Sequence, residues 1–316
     1  TEEQLMVQSM VRDLAREQFA PRAMERDQTK EFPADNLKKL GELGLMGMMV
    51  PPEYGGSGAD TVSYVLALSE VAYSCASTAV VMSVHNSIVC ESILRWGSED
   101  LKKRYLPVLA DGDKIGAFAL TEPEAGSDPV SQVTTATRDG DHYVINGTKR
   151  FTTTGKNCGL VIVTAKTDET LRHKGISAFI VDKGTPGFKV GHTEDKMGLK
   201  ASDTTDMIFD DCRVPADNLL EQALELLDRS SRRITQRTDP ADKAAVVLVN
   251  DLEKQALLVA ERRVQAARLQ AGRRHEVTNR GFAVAALPED GGRPVNHGVS
   301  IVFSASGHAA IVKILE

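Results

Sequence analysis

Apolar residues change their period twice along this chain. At the start, Leu5, Met6, Met10, Val11 and Leu14 recur at spacings of three and four, the stripe of an amphipathic helix. "TEEQ" opens it as a capping box, Thr1 as cap and Gln4 reaching back. A second helix is predicted over about 35–43, ending near Gly44. The following "LMGMMVPPEYGGSG" begins apolar and breaks at Pro51, Pro52 and Gly55–Gly56. From Asp60 to Trp96 the residues are small and apolar, which suits one or two buried, closely packed helices. Ser98 then caps a further short helix.

After Gly116 the period shortens. "HYVINGTKRFTTTG" places β-branched residues on both sides of Asn146-Gly147, a hairpin signal. "GLVIVTAKTD", "ISAFIVDKG" and "GFKVGH" read as short strands between turns. Together they predict an antiparallel β domain able to bury one face. From Leu219 the pattern turns helical again, through "LLEQALELLDRSSRR" and "VVLVNDLEKQALLVAERRVQAARLQAG". In the last 40 residues, "GFAVAAL", "VSIVFS" and "AAIVKIL" fit short strands or buried helix pieces. The predicted class is α+β in three parts: helical 1–117, β 118–220, and a largely helical, atypical 221–316. No β-α alternation and no G-x-G-x-x-G after a strand occurs, which speaks against a Rossmann fold.

Composition narrows the class. Of 316 residues, 41% are hydrophobic and 26% charged, the proportions of a soluble globular protein. No apolar run approaches the roughly 20 residues of a membrane span, and "TEEQLMVQSM" has no basic start or apolar block of a secretory signal. The expected location is cytoplasmic, or the mitochondrial matrix if the source is eukaryotic. Cys75, Cys90, Cys158 and Cys212 form no C-x-x-C pair, and the histidines have no metal-binding spacing, so reduced thiols and no metal are expected. The net charge is −6, against a general nucleic-acid binder. Residues 229–280 alone hold 12 Lys and Arg against 6 Asp and Glu, leaving room for an anionic ligand there. Arg262, Arg263, Arg268, Arg273 and Arg274 read most simply as a solvated helix face.

"FALTEPEAGSD", Phe118 to Asp128, ends a strand in a turn crowded with hydroxyls, carboxylates, a proline and a glycine. Alone it is ordinary turn chemistry. Its neighbours change that. "GSEDLKKRYLPVLADGDKIGAFALTEPEAGSD", "YVINGTKRFTTTG" and "EDKMGLKASDTTDMIFDDCRVPADNLL" resemble the acyl-CoA dehydrogenase family in order and spacing, over about residues 1–220. The resemblance implies that family's fold, with FAD as cofactor. The Phe118–Ser127 segment would then line the flavin. Leu120 and Thr121 would face its ring, and Gly126 would let the backbone approach the pyrophosphate. Ser127 would reach toward both pyrophosphate and substrate, while Asp128 fixes the turn. Phe151, Thr152 and Thr153 match an aromatic-x-Thr segment whose ring packs on the flavin and whose threonine hydroxyl lies near its reactive nitrogen. Lys196, Lys200 and Asp203 would brace the domain interface.

The activity this implies is FAD-dependent α,β-dehydrogenation of an acyl-CoA thioester to a trans-2-enoyl-CoA. Electrons would leave through an electron-transferring flavoprotein, and the assembly would be a homo-oligomer, dimer or tetramer. The catalytic base is not assigned. The family's glutamate has no match: "YEG" is absent, and "LLDRSSRRITQR" carries arginines in the early-helix position. The family's "ERxxFG" stretch is missing as well. Glu253, Glu261, Glu276 and Glu289 are the remaining acidic candidates, each more simply a solvated charge. Asp228 and Arg232 resemble a pair that contacts the CoA portion of the substrate, with a spacing that also suits an i,i+4 surface pair. A non-catalytic flavin- or CoA-binding protein of the same family is the alternative.

Overall fold

The computed structural model describes residues 1–220, 298–303 and 310–315. Its first part is helical: α1 (Glu2–Leu14), a wide π turn at Ala15–Phe19, and α2 (Ala20–Thr29) are followed by α3 (Ala34–Glu42) and α4 (Thr61–Ser74). Then come α5 (Ala76–Ser83), a second π segment at Val84–Cys90, α6 (Glu91–Trp96) and α7 (Glu99–Ala110). The expected capping box forms: the Thr1 hydroxyl accepts from the Gln4 N–H at 3.3 Å, and Gln4 Oε1 accepts from the Thr1 nitrogen at 2.7 Å. Ser98 caps α7 as expected.

The buried face of α1 is only part of the expected stripe, Val11 and Leu14. Leu5, Met6 and Met10 are exposed, while Val11 and Ala15 are buried with Val7 and Leu14 packed alongside. Gln8 and Arg12 both reach Glu70 on α4, at 2.8 and 2.7 Å, and these polar contacts fix the helix rotation. The core formed there joins Phe19, Leu37, Leu40, Met46, Val71 and Met82.

One sequence expectation about length also changes. Ala76–Trp96 is a continuous 21-residue helix, long and apolar enough to cross a membrane, but 61% of its apolar window is buried inside the fold. That burial makes it a core helix.

The β part is one eight-stranded sheet. Its strands are β1 (Gly116–Ala119), β2 (Thr135–Asp139), β3 (His142–Thr153), β4 (Leu160–Lys166), β5 (Ile176–Asp182), β6 (Phe188–Thr193), β7 (Thr204–Pro215) and β8 (Leu219–Leu220). They run in the order β6-β7-β3-β2-β4-β5-β8, with β1 also paired to β4. The sheet is mixed rather than purely antiparallel, because β1 and β2 both pair with β4 in parallel.

Asn146-Gly147 is not a hairpin turn. β3 runs through it with a bulge between Ile145 and Gly147 against β7, and the β2–β3 turn lies at Gly140 (φ +63°). The Asn146 side chain donates to Asp211 at 3.0 Å and accepts from its N–H at 2.8 Å. A Cβ on Gly147 would lie 2.3 Å from Thr134 Oγ1. Close approach, not chain reversal, is what demands glycine there.

β4 and β5 are buried on both faces. Val161, Val163, Phe179 and Val181 join the core within the sheet, while Leu160, Ile162, Ala178 and Ile180 meet Val89, Ile93 and Leu106 from the helices. Both strands therefore read as unbroken apolar runs. In the separate unit Gln236–Glu316 the described part is an antiparallel pair, β9 (Gly298–Phe303) with β10 (Ala310–Leu315). Of the two readings open for "VSIVFS" and "AAIVKIL", strand is the one formed; "GFAVAAL" lies outside the described residues.

Candidate functional site

The strand β1 is positioned by the second π segment. His85 accepts the Gly116 N–H on Nδ1 at 3.0 Å and donates Nε2–H to the Leu109 carbonyl at 3.0 Å. A Cβ on Gly116 would meet Val89 at 2.4 Å, so the helix presses directly on the strand. Burial pushes the His85 pKa down to about 4, outweighing its backbone hydrogen bonds, and the ring is a neutral spacer. π segments of this kind recur at functional sites, and this one supplies Ser87 and Ile88 to a cavity.

That cavity, of about 610 Å³, is apolar: Ile88, Trp96, Phe118, Leu120, Ile162 and Ala178 are among its walls. Its one lining carboxylate among the described residues, Glu91, accepts from Arg95 and is therefore already paired. A second cavity of about 510 Å³ is polar, with Lys166, Arg172, His173 and Ser131 facing Asp128 and Glu169. Val130 and His173 line both.

The loop after β1 is held by ionic and backbone bonds. Glu122 N–H donates to the Ala125 carbonyl at 2.9 Å, and the Glu122 carboxylate accepts from the N–H groups of Val133 and Thr134 at 2.5 and 3.1 Å. Its remaining partner is the fully buried Lys149, whose Nζ lies 2.7 Å from Oε1. Although burial alone would raise it, these donors hold the Glu122 carboxyl below the usual range, Lys149 foremost. Asp128 does fix the turn: it accepts from Ser131 Oγ at 2.5 Å and Val130 N–H at 3.2 Å.

The two segments singled out in the sequence are pinned together. Arg150 N–H donates to the Thr121 carbonyl at 2.7 Å, and Lys149 Nζ to the Leu120 carbonyl at 3.0 Å. Between Lys149 and Thr152 the β3–β7 pairing slips, and Phe151 sits in the left-handed region at φ +56°. A bulky residue is strained there. The bulge presents its ring outward, 55% exposed, 5.0 Å from the Arg150 guanidinium, which Asp206 and Glu194 hold at 3.1 and 2.9 Å. Thr152 turns inward and Thr153 is half-buried. Asp203 steadies the next turn by accepting from Lys156 N–H and Asn157 Nδ2 at 2.7 and 2.8 Å.

The expected braces are partly as read. Lys200 bridges to the helices through its backbone N–H to Asp27 at 2.7 Å, beside a Lys30–Asp195 ion pair at 2.8 Å. Lys196 instead bonds the Ser202 carbonyl of its own segment. Asp228, Arg232 and the acidic candidates Glu253, Glu261, Glu276 and Glu289 lie outside the described residues.

Several observations fit a bound flavin. Gly126 and Ser127 are exposed, and a Cβ on Gly126 would meet nothing within 4 Å. Among the described residues neither φ nor packing demands that glycine, and the position is open to a ligand's close approach. Thr152 Oγ1 and Thr154 Oγ1, both buried, have no hydrogen-bond partner among the described residues. Sequence reasoning missed Glu122, Lys149, Gln132 and Thr164; the one linear signal is a lysine at an inward strand position.

Residues 1–113 match the model of the acyl-CoA dehydrogenase N-terminal domain, and residues 117–212 that of its middle domain. Over 220 residues the chain is 46% identical to a short-chain specific acyl-CoA dehydrogenase of Clostridium acetobutylicum, covering 70% of this chain and 58% of that protein. The chain thus spans little more than half of that relative's length. The structure of butyryl-CoA dehydrogenase from Megasphaera elsdenii superimposes with a TM-score of 0.69 at 32% identity, over 87% of this chain and 81% of that one. An acyl-CoA dehydrogenase of Bacillus anthracis complexed with FAD gives 0.66 at 39% identity, over 70% and 38%. On fold, sequence and site together, this chain belongs to the acyl-CoA dehydrogenase family.

Proposed function

We propose that this protein binds FAD and dehydrogenates an acyl-CoA thioester of short to medium chain to the trans-2-enoyl-CoA, as a homo-oligomer that passes its electrons to an electron-transferring flavoprotein. The observation that carries the reading is the continuity of the site. One strand end, Phe118–Leu120, walls an apolar cavity and leads into the glycine-serine loop, and the Thr121 carbonyl there accepts from the Arg150 N–H beside the bulge bearing Phe151. An apolar cavity that shares residues with a polar one containing Lys166 and Arg172 suits an amphiphile, with the acyl chain in the first and anionic groups in the second. When bound, FAD supplies the hydride acceptor for this reaction.

The chain's own residues bind and orient. Phe151 offers its ring to the flavin, Thr121 and Thr153 offer hydroxyls, and Gly126–Ser127 admit the pyrophosphate. Phe118 and Leu120 exclude water from the face where the acyl chain lies. No base for the α-proton is assigned among the described residues, where the apolar cavity's one carboxylate, Glu91, is paired with Arg95.

An anaerobic titration of the FAD-loaded protein with butyryl-CoA and octanoyl-CoA, followed by flavin absorbance, tests the activity. Loss of the oxidised-flavin spectrum is expected with at least one. A flavin that binds and stays oxidised with both would make the protein a binding member of the family; no flavin uptake would sink the reading.

The strained aromatic gives a second test. In Phe151→Gly the left-handed backbone strain disappears, a cost of about 1–2 kcal/mol for an ordinary residue. The thermal midpoint should hold or rise while FAD affinity falls about two- to tenfold, since aromatic stacking is worth ~0.5–1.5 kcal/mol. A lower midpoint with unchanged affinity would mean the ring serves folding, not flavin.

A further inference from the structure

Lys149 has no solvent exposure, yet its ammonium faces four oxygens on three separate segments. Nζ lies 3.0 Å from the Leu120 carbonyl, 2.7 Å from Glu122 Oε1, 2.8 Å from Gln132 Oε1 and 3.2 Å from Thr164 Oγ1. Thr164 Oγ1 also donates to Gln132 Oε1, at 2.9 Å. Leu120, Gln132 and Thr164 are all walls of the apolar cavity. A buried ion pair is seldom the most stable filling for such a volume, and apolar side chains often serve as well or better. What apolar side chains lack is direction. Three ammonium protons shared among four oxygens tie the end of β1, the Glu122 loop and β4 into one geometry.

We propose that Lys149 is a positioning residue for the reaction. It sets the Leu120–Glu122 backbone against the flavin and, through Gln132 and Thr164, the shape of the substrate cavity, without touching the reacting atoms. The proposal rests on the flavin reading given above. It goes beyond that reading in assigning the orientation of the site to a buried cation two residues before Phe151.

The test separates positioning from simple charge pairing. Lys149→Met alone leaves Glu122 buried without its cation, and a large fall in thermal midpoint is expected. The double variant Glu122→Gln/Lys149→Met removes both charges, and its midpoint should recover to within about 5 °C of wild type. In that folded double variant, FAD should bind about tenfold more weakly or worse. The bound-flavin absorption should shift, and amide hydrogen exchange across 120–125 should quicken. Thr164→Val, which buries no unpaired charge, should move the flavin spectrum and the exchange the same way by less.

A double variant with wild-type flavin spectrum, affinity and exchange overturns the proposal. Should the double variant fail to fold, an unmoved spectrum and exchange in Thr164→Val overturns it instead. If the wild-type chain takes up no flavin, the functional reading falls, and the exchange arm alone decides whether Lys149 holds the loop.

Discussion

Replacing Glu122 by alanine should destabilise the protein by about 3–5 kcal/mol at pH 7, the range for breaking a buried pair. That is a large part of the ~5–15 kcal/mol that holds a typical domain folded. The loss has two sources. Lys149 is left buried with no carboxylate beside it among the described residues, and the N–H groups of Val133 and Thr134 lose their acceptor.

Its pH dependence has a definite sign. Burial lowers Lys149 from an ordinary 10.5 to about 8 even with Glu122 pulling the other way; without Glu122 it falls further. The unfolded chain then binds more protons than the native one over the range up to 10.5, so the variant gains stability as pH rises. Urea unfolding at pH 7 and pH 9 should show the gap between variant and wild type narrowing. A loss below about 1 kcal/mol at pH 7 would mean that the ammonium is stabilised without this carboxylate.

Acid should weaken the wild-type protein through His85. The folded value near 4 against an ordinary 6.5 is worth about 3 kcal/mol, at 1.36 kcal/mol per pH unit. Above pH 6.5 the ring is neutral in both states and contributes no slope. Between 6.5 and 4 the unfolded chain takes up a proton that the native chain refuses, so stability falls as pH falls. Below 4 both states are protonated and the loss levels off. The refusal has a structural cause: the ring is wholly buried, which penalises the charged form, and Nδ1 already accepts from the Gly116 N–H.

His85→Gln offers an acceptor and a donor to the same partners and does not titrate. Comparing urea midpoints at pH 7 and 4.5 cancels the carboxylates common to both proteins. Wild type should lose about 2–3 kcal/mol more than the variant over that interval. Equal losses would show that the ring already titrates normally in the folded protein.

Much of this was legible because it is local. A capping box needs residues three apart, a glycine stop needs one, and both form where the sequence places them, at Thr1–Gln4 and Gly44. The unbroken apolar runs of β4 and β5 and the linked motifs around Phe118–Asp128 and Phe151–Thr153 pointed to the strands and to the family. Local signals misled where a distant neighbour decided the outcome. Asn146-Gly147 has the residues of a turn, yet Thr134 and Asp211 from other segments make it a bulge. The stripe of α1 is apolar on two sides, and Glu70, on another helix, chose which one is buried.

The residues alone carried the element types over most of residues 1–220 and the family. Distant contacts decided the mixed pairing of the sheet, the walls shared by the apolar and polar cavities at Val130 and His173, and the union of Glu122 with Lys149. Those two residues stand 27 apart in the chain and 2.7 Å apart in the fold. Backbone propensity and side-chain period act over a few residues, whereas the desolvation that forces a buried cation to find its anion acts only after distant segments have closed around it.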